Sequence, residues 1–403
     1  MNREAPRPLS GVKVLDFGHT IMGPCAGLVL ADLGADVIKV EPKDGDATRR
    51  LPGFAAGFFA AYNRNKRSIA VDLKRPEGQA ALKRVAMTAD VLVENFAPGT
   101  IERLGCGWAE LERINPRLIY LSLKGYLAGP YAARGALDEV VQMQTGLAYM
   151  TGPPGKPLRM GAPIIDILGA VFGIVAVLAA LRERERTGRG QRVGSALFES
   201  AAFLVATHIA GSAVTGRPMP PMPARKGAWG IYDVFTSLEQ QQVFVAVTSD
   251  GHWQRFCEKF GFADLGSDKR LASNAARCIE REWLIPELAR RLGRVPLPTI
   301  LADCEAANVP CARVNRPDDL SNDPHLLAGG ALLATALSAF GGGPLVGLPA
   351  LPLEFGEDRQ RPELSRQPPR VGEHGCAVLS EAGSAAAEIQ ELLGLGVLEQ
   401  QTA

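Results

Sequence analysis

At 403 residues the chain is long enough for two domains, or for one large domain carrying an insertion. Hydrophobic residues make up 46%, charged residues 22%, and the net charge is +1, so neither nucleic acid nor a membrane surface is expected as a partner. The seven cysteines (Cys25, Cys106, Cys257, Cys278, Cys304, Cys311 and Cys376) are odd in number and lack CxxC spacing, which argues against a zinc site or a disulfide framework and for the reducing cytoplasm.

The N-terminus, MNREAPRPLSG, has no apolar core of a secretory signal. Residues 12–17 (VKVLDF) read as a short strand, followed by a loop from Gly18 to Pro24. A helix over 25–33 is broken at Gly34, and 37–41 (VIKVE) is a second strand. This β-loop-α-β opening is the start of a parallel sheet with helices on its faces. It looks Rossmann-like, but Gly18, Gly23 and Gly27 miss the G-x-G-x-x-G spacing, so binding of NAD is not expected. Polar, cationic residues 63–68 precede a strand at 69–73, a helix at 76–88 and a strand at 91–94. The turn Asn95, Phe96, Ala97, Pro98, Gly99 then lies at a strand's carboxyl end, where open α/β sheets collect ligands. A helix over 102–111 and a strand over 118–123 follow.

Residues 160–181 (MGAPIIDILGAVFGIVAVLAAL) carry one charge, Asp166, ahead of a long apolar run. Burying a carboxylate is costly and raises its pKa. Two readings account for it. Asp166 caps the helix that follows, accepting the free N–H groups of its first turn. Or it is a carboxylate nucleophile against an apolar wall from which water is excluded. The uncharged run 167–181 has fifteen residues, short of the roughly 18 that span a bilayer. It reads as a buried core helix with a charged, solvated exit at 182–186.

Residues 193–215 are apolar and read as helical. The first segment of the large domain is thus 1–215, and 216–226 (GRPMPPMPARK) is a Pro-rich linker. A smaller α+β domain over 227–316 has antiparallel strands at 232–235 and 243–247, with helices after His252 and from Arg281. Residues 317–403 return, with a flexible hairpin at Gly341, Gly342 and Gly343 and an amphipathic helix over 384–393 that packs on something, such as a neighbouring subunit.

Several stretches form one ordered pattern: LSGVKVLDFGHTIMGP, LADLGADVIKVE, NRNKRSIAVDLK, VLVENFAPGTIERLG, YLSLKGY, PIIDILG, RTGRGQRV and PPRVGEHGCAVL. Over nearly the whole chain this resembles the family III CoA-transferases, the group of formyl-CoA transferase, carnitine CoA-transferase and α-methylacyl-CoA racemase. The resemblance implies an α/β fold: a Rossmann-like large domain built from the N- and C-terminal segments, a small inserted domain, and two subunits interlocked as a homodimer. It implies no metal and no permanently bound cofactor, with coenzyme A entering as substrate. The aspartate of the family's G-x-x-x-x-D pattern matches Asp166, five residues after Gly161 and followed by Gly169. It implies that Asp166 is the nucleophile, passing through an acyl-aspartyl anhydride and an aspartyl-CoA thioester.

The CoA contacts it implies are His19, Thr20, Ile21 and Met22 at the pantetheine and reacting carbonyl; Val71, Asp72, Leu73, Lys74, Asn95, Phe96 and Ala97 at the nucleotide; Arg103 at a phosphate; and, further along the chain, Leu137 and Asp138. Beside these stand plainer readings: Asn95 as a turn-former, Arg103 as a solvated helix charge, and Lys66 and Arg67 as surface charges. Pro42 stands where some members have an arginine, so that phosphate contact is not carried over. Leu137 and Asp138 match the His-Asp pair of the racemases; without the imidazole, two-base racemisation lacks a base. Asp138 or Glu139 is similar to the acidic residue near the transferase site. His208, His252, His325 and His374 read as structural. In the loop of Arg225, Lys226 and Gly227, glycine offers mobility and the two cations attract a second carboxylate on the acceptor. The expected reaction is CoA transfer from a donor such as succinyl-CoA to a short dicarboxylate. The alternatives are an acyl-CoA racemase or epimerase, and a non-catalytic CoA-binding module.

Overall fold

The computed structural model describes residues 7–225, 227–338 and 342–401. It divides into two compact units, Met1–Pro223 with Pro324–Ala403, and Ala224–Asp323. The second unit therefore starts and ends slightly outside the span 227–316 read from composition. At its end, the 3-10 turn Pro317–Asn322 stays with it, and Asp319 accepts the Arg316 N–H.

The first unit begins β1 (Lys13–Asp16), α1 (Met22–Asp32), β2 (Asp36–Glu41), α2 (Phe58–Asn63), β3 (Arg67–Val71), α3 (Pro76–Ala86) and β4 (Val91–Glu94). It continues α4 (Thr100–Arg103), α5 (Trp108–Ile114), β5 (Ile119–Lys124), α6 (Asp138–Gln144), α7 (Leu147–Thr151), α8 (Ile164–Thr187), β6 (Arg192–Ala196), α9 (Leu197–Leu204) and α10 (Ala206–Thr215). The second unit holds an antiparallel sheet, β7 (Ile231–Thr236), β8 (Gln242–Val247) and β9 (Cys311–Arg313). Its five helices are α11 (Asp250–Lys259), α12 (Ala263–Gly266), α13 (Asn274–Ile279), α14 (Arg281–Leu292) and α15 (Leu297–Ala306), packed around Trp253, Phe256 and Leu288. After it come α16 (Pro324–Ala328), the hairpin β10 (Leu332–Ala336) and β11 (Leu345–Pro349), then α17 (Gly375–Glu381), α18 (Ala386–Gly394) and β12 (Leu398–Glu399). Of the glycine triplet, Gly341 lies outside the described residues. Gly342 and Gly343 have φ of +71° and +90°, which a residue with a Cβ adopts only under strain.

The main sheet is mixed, in the order β12-β3-β2-β1-β4-β5-β6, parallel except for β12. Its strands are apolar runs because both faces are covered. Val14, Val37, Val93 and Leu121 face a core with α1, α8 and α9. Leu15, Ile38, Leu92 and Tyr120 face the other, which takes in Val378, Leu379, Ile389, Leu392 and Leu398 from the return segment. The C-terminal segment thus completes the large unit, with Leu398 registered on Val71.

Three local readings need correction. The expected helix over 102–111 is two helices, α4 and α5, separated at Gly105, where φ is +72° and a Cβ would meet the Gln79 side chain at 2.6 Å. The expected helix over 193–215 opens instead with β6, which pairs with β5 from Tyr120↔Arg192 to Lys124↔Ala196. The free edge of β5 decides this, and no local pattern reports an edge. The core helix α8 runs 24 residues, from before Asp166 through the charged exit. Only one face is buried: Gly169, Gly173 and Val177 lie inside, while Val171, Val175 and Leu178 are exposed. The exit is not wholly solvated, since Arg184 is buried against Asp90 (2.9 Å) and the Arg117 carbonyl (3.1 Å). Among the described residues α8 is the one single helix long and apolar enough to cross a membrane, and the bent pair α9–α10 passes jointly. In this fold α8 packs on α1, β5, β6 and α9.

Candidate active site

The strand order reverses between β1 and β4, and such a switch point opens a crevice at the carboxyl ends of the strands. The loop after β1 carries His19, Thr20 and Ile21; the turn after β4 carries Asn95, Phe96 and Ala97. Asn95 ties the two together. Its Oδ1 accepts the His19 N–H (2.8 Å) and its Nδ2 donates to the His19 carbonyl (2.9 Å). This is more than a turn-former does: the amide spans a separation of 76 residues. Gly23 makes room for it, since a Cβ there would lie 2.7 Å from the Asn95 Oδ1.

Buried charges hold the β1 loop from below. Asp16 accepts the Gly18 N–H (2.7 Å) and pairs with Lys66 (2.7 Å), and neither side chain of the pair is exposed. Lys39 donates to the Gly18 carbonyl (2.7 Å) and pairs with Asp46 (2.9 Å). Burial alone would lower the Lys39 pKa, but Asp46, Asp16 and Glu41 together raise it, so it stays charged. Lys66 and Arg67 are therefore not surface charges: Lys66 is at 0% exposure, and Arg67 is buried, forked onto Asp36 and Glu381. Thr20 has φ +63°, a conformation costly for a β-branched residue, of the order of 1 kcal/mol or more. It sets its Oγ1 3.1 Å from the His19 Nδ1. Burial lowers the His19 pKa, leaving the imidazole neutral at pH 7.

Asp166 is the third residue of α8 and is half-buried. It is not the cap. Asp138, buried at the start of α6, takes that role from outside: its Oδ2 accepts the N–H groups of Ile165 (3.1 Å) and Asp166 (3.3 Å). Gln142 donates to the other oxygen of Asp138 and accepts the Met160 N–H (2.9 Å). The Asp166 carboxylate is left with no hydrogen-bond or ion-pair partner among the described residues. Burial, then the charges of Asp138 and Glu139, raise its pKa to about 7. The helix N-terminus works the other way and is outweighed. The Asp166 charge is felt by Cys25 and Tyr62. Burial pushes the Cys25 thiol up to about 11, with Lys66 opposing and Asp166 adding to it. Burial, then the negative charge of Cys25 and Asp166, push the Tyr62 hydroxyl up to about 12. Gly169 meets the Met22 thioether, where a Cβ would come within 2.4 Å of the methyl.

Two clefts run along this edge. One, of about 230 Å³, is lined by His19, Thr20, Ile21, Met22, Asn95, Phe96, Ala97, Leu137, Asp138 and Asp166. The other, of about 380 Å³, is lined by Val71, Asp72, Leu73, Lys74, Pro42 and Lys43. Phe96 lines both. Arg103 lines neither; its guanidinium bonds the Thr100 hydroxyl (2.9 Å). Arg225 and Gly227 belong to the second unit, and Lys226 lies outside the described residues. Residues not singled out from sequence also line the first cleft, notably Lys124 and Arg134. Lys124 stood in the quoted YLSLKGY stretch, where nothing local showed that its Nζ reaches Glu94 (2.7 Å) and the Phe96 carbonyl (2.6 Å).

A model of CoA-transferase family III matches residues 9–375. The chain is 34% identical over 387 residues to the succinate–glutarate CoA-transferase of Agrobacterium fabrum, covering 93% of this chain and 95% of that one. It is 33% identical to the succinyl-CoA:mesaconate CoA-transferase of Haloarcula hispanica, over 93% and 96% of the two. The crystal structure of a CAIB/BAIF family protein from Brucella suis matches with a TM-score of 0.83 at 32% identity, covering 94% of this chain and 100% of that one.

Proposed function

We propose that this chain, which belongs to CoA-transferase family III and transfers coenzyme A between an acyl-CoA and a carboxylate, does so through covalent intermediates on Asp166. The observation that carries this reading is an unpaired, half-buried carboxylate at the switch-point cleft. An Asp166 oxygen attacks the thioester carbonyl carbon; the C–S bond breaks and sulfur leaves as the thiolate, giving a mixed anhydride. The thiolate attacks the aspartyl carbonyl and expels the donor's carboxylate, leaving an aspartyl-CoA thioester. The acceptor carboxylate attacks that thioester and expels thiolate again. Thiolate then attacks the acceptor's carbonyl and releases Asp166. One negative charge is handed on at every step, so no proton transfer is needed.

The nucleotide end of CoA lies over Val71, Asp72, Leu73 and Lys74; for Arg103 to meet a phosphate its guanidinium has to leave the Thr100 hydroxyl. The pantetheine passes Phe96, Asn95 and Ala97 to reach His19, Thr20, Ile21 and Met22. Leu137 and Asp138 flank the reacting carbon. The relatives named for succinate, glutarate and mesaconate support succinyl-CoA as donor and a short dicarboxylate as acceptor. Exposed Val175, Phe203 and Val214, on α8, α9 and α10, support a homodimer, because a partner subunit would take such apolar side chains out of water. Seven free cysteines suit the cytoplasm.

Incubation with labelled acyl-CoA and hydroxylamine tests the route. It yields a hydroxamate at Asp166 with loss of activity; continued transfer without an Asp166 adduct rules the route out. A racemase would instead place solvent deuterium at the α-carbon without exchanging CoA, and a binding module would do neither. The pH profile is a second check. With its pKa raised to about 7, Asp166 is ionised, and nucleophilic, only above that value. kcat/KM therefore falls about tenfold per pH unit below about 7 and is flat above it. A profile flat down to pH 5 contradicts this.

A further inference from the structure

We propose that Arg134 is a subsite for the second, non-reacting carboxylate of the acyl group, which rests on the dicarboxylate reading above and extends it. Arg134 lines the same cleft as Asp166, on the segment that leads into α6. Its backbone N–H donates to the Tyr131 carbonyl (2.8 Å), closing a turn, and its guanidinium carbon sits 4.0 Å from the Tyr131 ring centroid. That ring is edge-on to Tyr126 (5.7 Å) and Phe198 (6.2 Å), and the Tyr126 hydroxyl is fixed by Gln144 (2.7 Å). The guanidinium thus has an anchored platform. A guanidinium laid against a ring keeps its N–H edge free, the geometry that takes a carboxylate with two parallel bonds.

Its charge is also unspent. No carboxylate among the described residues lies within ion-pair distance of Arg134. The cleft's other permanent cation, Lys124, is already taken by Glu94 and the Phe96 carbonyl. Of the nearby acids in sequence, Asp138 accepts from Gln142 and the start of α8, and Glu139 faces Arg159 (3.5 Å). Position along the sheet edge agrees. The nucleotide cleft lies at the ends of β3, β2, β1 and β4, whereas Arg134 follows β5, on the far side of the switch point. A CoA running from the nucleotide cleft toward Asp166 carries the tail of its acyl group to that side. There a distal carboxylate meets the exposed guanidinium, and a methyl group in its place forgoes that charged, two-bond pairing.

The test compares wild type, Arg134→Gln, Arg134→Lys and Arg225→Ala with succinyl-CoA as donor and glutarate or pentanoate as acceptor. These acceptors differ by a terminal carboxylate against a methyl. Arg134→Gln is expected to lower kcat/KM for glutarate about 10- to 100-fold more than for pentanoate, and Arg134→Lys to retain part of the preference. An unchanged glutarate-to-pentanoate ratio in Arg134→Gln overturns the subsite, as does a collapse of the ratio in Arg225→Ala instead. A wild type that transfers CoA with no preference between the acids also overturns the subsite and leaves the chemistry at Asp166 standing. A wild type that transfers CoA to neither acid removes the dicarboxylate reading on which the subsite rests.

Discussion

Asp166→Asn abolishes acyl exchange, by at least about 10⁴-fold in kcat, and makes the protein more stable at alkaline pH. The amide matches the carboxylate in shape but has no nucleophilic oxygen, and every proposed intermediate is a bond to that oxygen. CoA binding survives, because the nucleotide cleft shares only Phe96 with the Asp166 cleft. Burial and the charges of Asp138 and Glu139 raise the folded-state pKa to about 7 from 3.8. An acid raised on folding is destabilising in its ionised form, so stability is lost as pH climbs from about 4 to about 7 and stays lost above. Removing the charge returns on the order of 2 kcal/mol at pH 8, after a discount for the partial exposure of the group and the desolvation of the amide. Near pH 4 the variant and the wild type coincide. Thermal unfolding at the two pH values, with turnover measured alongside, checks both halves. Residual turnover near wild type, or a variant less stable at pH 8, contradicts the proposed role of this side chain.

Lys66→Met has the largest expected effect on stability, a loss of about 3–5 kcal/mol. Lys66 is fully buried and donates to Asp16 (2.7 Å), the Pro24 carbonyl (2.9 Å) and Asn63 Oδ1 (3.0 Å). Burial lowers its pKa and Asp16 works against that. Without the ammonium, Asp16 is a buried charge, and Lys39, a cation that feels it, is engaged with Asp46. The damage lands on the loop that carries His19, since Asp16 also accepts the Gly18 N–H. Adding Asp16→Asn removes the orphaned charge and is expected to restore a good part of the loss. Chemical denaturation of the single and double variants reads the coupling directly. Equal stability of Lys66→Met and wild type would show that the pair contributes nothing.

Much of the molecule is legible without coordinates. The alternation of short Val/Ile/Leu runs with helical segments announces a parallel sheet between two layers of helices, because each run is apolar on both faces. Asp166 stands out in the chain as the lone charge at the head of an apolar stretch, and the ordered motifs around it bring the family into view. Periodicity and composition report what a residue does with its neighbours in the chain. They are blind to partners brought together by folding.

That blindness accounts for each correction. Lys66 looks like a surface cation because its counter-charge, Asp16, lies 50 residues away. Residues 193–196 look like the start of a helix because the free edge of β5 is not written next to them. Asp166 looks like its own helix's cap because Asp138, 28 residues earlier, is what reaches those N–H groups. Arg134 carries no signal at all until Tyr131, Tyr126 and Phe198 are assembled beneath it. Sequence by itself therefore determined the kind of sheet, its apolar faces and the acidic residue to watch. Only the tertiary structure decided which charges are neutralised and which are left over, because neutralisation depends on distance in space, and chain separation does not predict it.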